Sequence, residues 1–239
     1  MIGAVHVPGH LHAASTASGA TFLLNARSGR WHVLNPVATA LWRELGRVGD
    51  VERVLDAAAN RYPRPTSEFF RLDARRAVED MAARGLVAAG RGAAQDRSPG
   101  REHPSGLLTT EHVRATPGIR AHAGLLIALV LLRLPFHLTL RAVAALTSRW
   151  CSRTATVDEV VSAVAEVDAV ADRHLGRAAC LERSLATVIA AALARRRLRW
   201  VFGAAEDPCR FHAWIECDGI MVGRTPEWAA TGFVKVLAL

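Results

Sequence analysis

One cysteine and one histidine have the residue types and the setting for nucleophilic chemistry. Cys180 comes directly before apolar residues that are spaced for a helix, beginning with Leu181 and Leu185, so the pattern predicts a helix that starts at or near the cysteine. The backbone N–H groups at such a start stabilise a thiolate. His212 lies in residues 211–222, whose pattern predicts a strand, an Asp-Gly turn and a returning strand. A thiolate that faces an imidazole is the arrangement of a cysteine hydrolase or acyltransferase.

Two simpler interpretations compete with catalysis. A cysteine on an apolar helix is commonly a small buried hydrophobic residue, and a single histidine on a strand carries little information alone. A metal site competes as well, because Cys209, His212 and Cys217 lie close together in the sequence. Positions 212 and 217 point to opposite faces of a strand, however, and the chain has no Cys-x-x-Cys pair. We therefore predict no bound metal.

Composition excludes several classes of protein. A length of 239 residues is enough for one large or two small domains, and a hydrophobic content of 51% is enough to bury their cores. The net charge is +8. The positive charge comes almost entirely from scattered arginines, which argues against a nucleic-acid partner because such a partner needs a basic face. The four cysteines have irregular spacing, and the N-terminus lacks the pattern of a signal peptide. These features predict a cytoplasmic protein with a free thiol.

Two motifs carry a resemblance to a known family. The sequence Cys-Leu-Glu-Arg-Ser-Leu at 180–185, followed by His-Ala-Trp-Ile-Glu-Cys-Asp-Gly at 212–219, resembles the transglutaminase-like cysteine protease of lasso-peptide biosynthesis, the leader peptidase part of the B protein. The resemblance covers residues 107–239 and implies a transglutaminase-like, papain-type domain. It also implies that Cys180 is the nucleophile and His212 the general base.

The third catalytic residue of that family does not match. The family usually carries an aspartate twelve positions after the histidine, where this chain has Arg224, and a guanidinium cannot accept the imidazole N–H. Glu227 is our candidate substitute, because it would be a diagonal neighbour of His212 across the predicted hairpin. A Cys-His dyad that is helped by a backbone carbonyl or water, and a weakened or inactive enzyme, are the alternatives.

Residues 1–90 combine short strands with helices. Residues 20–25 and 31–35 flank a turn centred on Ser28-Gly29 and predict a β-hairpin. Asn35 as N-cap and Pro36 at the first helical position then predict a helix start. Two more helices are expected over about 51–61 and 67–84, with a short closing strand at 86–89.

The hairpin-Asn-Pro-helix pattern of this region resembles the PqqD-like family, the peptide-recognition element of pathways that make modified ribosomal peptides. The resemblance implies a winged-helix-like domain in which the leader of a precursor peptide adds as a strand to the sheet edge and lies against the third helix. The corresponding leader-binding residues are Trp31, His32, Val33, Leu34, Arg76 and Met81. Several of these apolar side chains also suit a hydrophobic core.

Two further segments complete the chain. Residues 91–106 have almost no large apolar side chain, so we predict a flexible linker between the domains. Residues 123–132 are strongly apolar, but Arg133, Pro135 and His137 follow at once. A membrane span needs about 20 apolar residues, so we predict a buried or partner-contacting helix and no membrane span.

Together these patterns predict an α+β chain with two domains, at 1–90 and 107–239. The resemblances imply that the first domain binds the leader of a lasso-peptide precursor and that the second removes the leader by cysteine protease chemistry. They also imply an ATP-dependent, asparagine-synthetase-like cyclase as partner; the cysteine chemistry itself needs no cofactor. A transglutaminase-like acyltransferase and a catalytically impaired peptide-binding adaptor are the alternative functions.

Overall fold

A computed structural model describes residues 3–60, 66–90, 100–176, 178–224 and 232–239. The chain divides into two compact units, one made of Met1–Asn25 and Trp31–Gly100 and the other of Ala26–Arg30 and Arg101–Leu239. Helices and sheets are mixed in the chain, which agrees with the predicted α+β class.

The first unit contains a three-stranded sheet in the order β2-β3-β4 and a separate pair, β1-β5. The strands are β1 Val5–His6, β2 Leu11–Ser15, β3 Thr21–Asn25, β4 Arg30–Leu34 and β5 Ala88–Ala89. The predicted hairpin is confirmed by β3 and β4, and Gly29 in the turn between them has a φ of 74°, which favours glycine. Strands β2 and β4 are the two end strands of this sheet.

Three helices close the core of the first unit: α1 Pro36–Val48, α2 Val51–Ala59 and α3 Thr66–Ala83. The predicted start of α1 is confirmed, because the Asn35 side chain accepts a hydrogen bond from the Ala38 N–H at 2.8 Å. Trp42 is 1% exposed and donates its indole N–H to the Leu86 carbonyl at 3.0 Å. This hydrogen bond joins α1 to the segment that leads into β5.

The segment predicted as a linker is only partly described, since residues 91–99 lie outside the described ranges. Gly100 is bonded to β2, because the Ser15 N–H donates to its carbonyl at 2.9 Å. In the second unit, the Glu102 carbonyl accepts from Lys235 N–H at 2.7 Å, and Ser105 N–H donates to Gly219 at 2.8 Å. The end of the predicted linker is thus part of the second unit.

The second unit begins with a strand, β6 Gly106–Thr109, and then contains four helices, which are α4 Ile119–Leu131, α5 Phe136–Arg149, α6 Val157–Ala171 and α7 Cys180–Leu193. Helices α4 and α7 pack closely because Gly124 has no side chain: a Cβ there would lie 2.6 Å from the Ala186 carbonyl oxygen. The apolar segment 123–132 therefore forms part of a packed helix, and α4 buries Ala121, Leu125 and Ala128. In the described ranges, no helix has the length and apolar character that crossing a membrane requires.

A five-stranded sheet in the order β12-β9-β10-β11-β6 supports these helices. Its remaining strands are β9 Arg199–Ala205, β10 Arg210–Cys217, β11 Ile220–Gly223 and β12 Val234–Ala238, and a short pair, β7 Arg153–Thr154 and β8 Arg196–Arg197, lies apart. Within the five-stranded sheet the neighbours are antiparallel except β6 and β11, which run parallel, and the β7-β8 pair is parallel as well. The predicted Asp-Gly turn is confirmed, because Asp218 and Gly219 join β10 to β11 with φ values of 50° and 84°.

One hydrogen bond identifies the face of the sheet that α7 covers. The Trp200 indole N–H donates to the Ser184 hydroxyl at 2.9 Å, and Trp200 lies opposite Ile215 in the register of β9 and β10. Since side chains alternate along a strand, Ala213 and Ile215 share the face of Trp200, which α7 covers.

Candidate active site

A cavity of about 250 Å³ opens at the start of α7. Its lining includes Cys180, Ser184 and Thr187 from this helix, together with His212 from the neighbouring strand. Cys180 is the first residue of α7, as the apolar pattern predicted, and its thiol is partly exposed. The structure therefore brings the two residues with catalytic potential to one cavity.

The backbone just before Cys180 is held by two side chains of the helix itself. Glu182 accepts a hydrogen bond from the Ala179 N–H at 3.0 Å, and the Arg183 Nε donates to the Ala178 carbonyl at 2.9 Å. With these groups occupied, the first N–H groups of α7 remain as donors at the cysteine, where helices leave such groups unbonded. An oxyanion that forms at this point is favoured by those donors and by the helix dipole.

His212 packs against aromatic rings. Its ring is stacked on Trp214 at a centroid distance of 5.9 Å and lies 5.8 Å from Phe233. Burial lowers the pKa of His212 to about 4, so the imidazole is neutral at pH 7 and is a weaker base than an exposed histidine. His212 and Trp214 both line the cavity at Cys180.

The residue at the family aspartate position has a different partner. Arg224 lines the cavity and forms an ion pair with Asp172 at 2.8 Å. Asp172 is the C-cap residue of α6 and also accepts from Arg183 at 2.7 Å. Arg224 thus belongs to a charge network beside the cysteine. Glu227, the predicted substitute for the aspartate, lies outside the described residues.

This network contains two arginines and two aspartates. Arg183 donates to Asp168 at 2.8 Å, and Asp168 is only 9% exposed. Burial raises the pKa of Asp168, although Arg183 opposes the rise. Partial burial acts on Asp172 in the same direction, but Arg183 and Arg224 outweigh it and hold its pKa below the usual range. On the side of the cavity next to Cys180, the charges of two arginines therefore balance those of two aspartates.

Arg183, Asp168 and Asp172 were not singled out from the sequence. A signal was present, because Asp168 and Asp172 are four residues apart and so share one face of a helix. Their arginine partners come from later elements, and only the tertiary structure shows which arginines reach them.

The predicted leader-binding residues divide into two groups. Leu34 and Met81 are 7% and 3% exposed and belong to the hydrophobic core, so their side chains offer no open surface. Trp31, His32, Val33 and Arg76 are at least partly exposed, with Val33 at 48%. Helix α3 also exposes two large apolar residues that the sequence analysis did not select, Phe69 at 68% and Leu72 at 57%.

In the described ranges, no group of three or more His, Cys, Asp and Glu side chains could hold a metal ion. Cys217 is buried and beside Asp218, and burial raises the pKa of its thiol, with the Asp218 charge adding to the rise.

Two regions of the chain match known families. Residues 20–87 match the family described as coenzyme PQQ synthesis protein D (PqqD), and residues 122–237 match the transglutaminase-like superfamily. No curated protein matches the chain. A solved structure described as "TbiB1 in Complex with the TbiA(beta) Leader Peptide" is 18% identical, with a TM-score of 0.32, and the match covers 36% of this chain and 99% of that one.

Proposed function

Because the chain joins a PqqD-like domain to a transglutaminase-like domain, we propose that it binds the leader of a lasso-peptide precursor and removes it as a cysteine protease. The observation that supports the protease most directly is the position of Cys180, at the first residue of α7 in a cavity shared with His212. The leader is a peptide, and its recognition by a sheet edge needs no cofactor.

In the proposed reaction, the Cys180 thiol gives its proton to His212 and the sulfur attacks the scissile carbonyl carbon. The tetrahedral oxyanion accepts hydrogen bonds from the first N–H groups of α7. Collapse breaks the C–N bond, and His212 returns the proton to the departing amine, which is the new N-terminus of the core peptide. Water then hydrolyses the thioester, releasing the leader with a C-terminal carboxylate and restoring the thiol.

This mechanism requires the imidazole to move. On this proposal His212 leaves its stacked contact with Trp214 when it takes the proton of the thiol. Catalytic hydrogen bonds are often absent or long before substrate binds and form in the complex. We propose that the bound peptide, together with the ATP-dependent cyclase that would receive the core peptide, stabilises the reactive position of His212.

Leader binding is proposed for the first unit. Strand β4 is last in the sheet order, and we propose that the leader adds to it as a further strand, so that main-chain hydrogen bonds provide affinity. The exposed side chains Val33 on β4 and Phe69 and Leu72 on α3 can supply apolar contacts for alternate leader side chains.

The decisive test is Cys180→Ala, examined with the precursor peptide and the cyclase. We expect leader cleavage to be abolished, because the nucleophile is gone, and leader affinity to be unchanged, because the proposed binding surface lies on the first unit. Mass spectrometry measures cleavage and calorimetry measures binding. Cleavage by the Cys180→Ala protein would refute the protease proposal.

One observation favours a second function, that of a peptide-binding adaptor with little activity of its own. The cation Arg224 replaces the expected carboxylate and is paired with Asp172, so it cannot orient His212. An adaptor would bind the leader and show no cleavage that depends on Cys180, with or without the cyclase.

A further inference from the structure

A single arginine connects the catalytic cysteine to the elements that precede it. Arg183 makes three interactions that diverge from one guanidinium: Nε to the Ala178 carbonyl at 2.9 Å, one terminal nitrogen to Asp168 at 2.8 Å and the other to Asp172 at 2.7 Å. These partners lie on α6 and its C-cap and on the segment directly before Cys180. The side chain is 25% exposed, so solvent screens these bonds only partly.

We infer that Arg183 is a positioning residue for Cys180. It fixes the peptide groups just before α7, so that the sulfur and the first N–H groups of the helix hold one geometry relative to the cavity. The inference rests on the proposed function, because it deepens the account of the same site. Arg183 lines the cavity, but its guanidinium bonds go to Ala178, Asp168 and Asp172, so its proposed action is through the backbone at Ala178.

The planar shape of the Arg183 guanidinium is essential to this role. Arginine presents N–H donors in a rigid plane, and here the donors reach three acceptors in different directions. Lysine keeps the charge but offers one flexible nitrogen, which cannot hold a carbonyl and two carboxylates at once. Replacement by lysine therefore separates a positional role from a purely electrostatic one.

The burial of Asp168 supports a fixed position for the guanidinium of Arg183. A carboxylate that is 9% exposed needs a charged partner, and Arg183 supplies one at hydrogen-bonding distance. Asp168 itself lines the cavity beside Cys180. The start of α7 is thereby attached to a nearly buried group of α6 that has little freedom to move.

The first measurement is steady-state cleavage of the precursor by Arg183→Met and Arg183→Lys in the full-length protein with the cyclase. We expect kcat to fall about 10- to 100-fold in both variants, because small misplacement of a nucleophile costs rates of this order. KM should stay unchanged. Full activity in Arg183→Lys would show that charge alone suffices and would overturn the inference.

The second measurement does not depend on proteolysis. Iodoacetamide alkylates thiolates, and peptide mapping by mass distinguishes Cys180 from the exposed Cys209. We expect alkylation of Cys180 to slow several-fold in both Arg183 variants, while Cys209 reacts at its usual rate. Slower alkylation together with no cleavage by the wild-type protein would support the role of Arg183 and refute the protease proposal.

A matched control is Arg153→Met. Arg153 pairs with Glu159, which caps α6 as Glu182 caps α7, but its helix start carries no cysteine. This variant should keep the kcat and the alkylation rate of the wild type. If Arg183→Met fails to fold, as judged by its thermal transition, Arg183→Lys decides alone. Wild-type kcat and alkylation in a folded Arg183 variant would overturn the inference.

Discussion

His212 combines a neutral side chain with a mostly buried setting, and this has a consequence for stability. Burial lowers its pKa from 6.5 to about 4, so between these values the unfolded chain binds a proton that the folded chain does not. The contribution of neutral His212 to the free energy of unfolding is therefore fully present above about pH 6.5. It is lost as the pH falls toward 4, because protonation then favours the unfolded chain. At 1.36 kcal/mol per pKa unit, the loss is about 3 kcal/mol at pH 4.

We predict that the free energy of unfolding falls more steeply from pH 7 to pH 4 in the wild type than in His212→Asn. Urea denaturation at several pH values measures this difference. The variant is the control, since every other titrating group is common to both proteins. Parallel pH profiles would contradict the assignment of a buried neutral imidazole.

Arg224 stands where the family has an aspartate, and its ion pair predicts what restoring the carboxylate would do. Arg224→Asp would place a third carboxylate beside Asp172 and Asp168 and remove one of the two arginines that compensate them. We expect a loss of about 1 kcal/mol in stability, since the pair is half exposed, and no gain in kcat. A gain in kcat would instead show that an under-oriented His212 limits the reaction.

Glu227→Gln is the companion variant, because Glu227 is our candidate substitute for the missing aspartate. If Glu227 orients the imidazole, this variant should lower kcat while Arg224→Met leaves it unchanged. If neither variant alters kcat, the third catalytic residue should be sought elsewhere.

Among the elements, β4 and α3 carry the predicted recognition of the leader. Phe69→Ser should weaken leader binding about tenfold or more, because burying an aromatic side chain at an interface contributes more than 1 kcal/mol. The position is 68% exposed, so the thermal transition should not change. Calorimetry with the leader peptide measures the affinity.

Leu126→Ser is a matched control for that experiment. Leu126 is a similarly exposed apolar residue, at 65%, on α4 of the second unit. It should bind the leader with wild-type affinity. Equal losses in the two variants would mean that the leader does not specifically contact α3.

Helix starts and turns could be predicted from the sequence, whereas the ion pairs between distant side chains could not. The start of α1 follows from Asn35 and Pro36, and the turn after β10 follows from Asp218 and Gly219, because caps and turns depend on neighbouring residues. The pairing of Arg183 with Asp168 depends on how two helices pack. The burial of Met81 likewise follows from the assembled core, since apolar periodicity alone does not separate core from binding surface.

For the whole molecule, the separate cores predict that recognition survives without the second unit. Residues 1–100 contain the core around Trp42 and the hydrogen bonds that join Gly100 to β2. We expect this fragment to bind the leader with the affinity of the full chain, as measured by calorimetry. Binding that appears only when residues 101–239 are present would show that the recognition surface is incomplete.

The strand β6 also decides where the second unit can safely be shortened. It pairs with β11 from Gly106 to Thr109, and just before it Ser105 lies so close to Gly219 that a Cβ at Gly219 would approach its hydroxyl to 2.7 Å. A fragment that began after Thr109 would leave the N–H and C=O groups of β11 as an open edge, and open edges pair between molecules. The residues that resemble the end of a linker thus protect the hairpin of His212 from aggregation, and a soluble second unit should begin at residue 101.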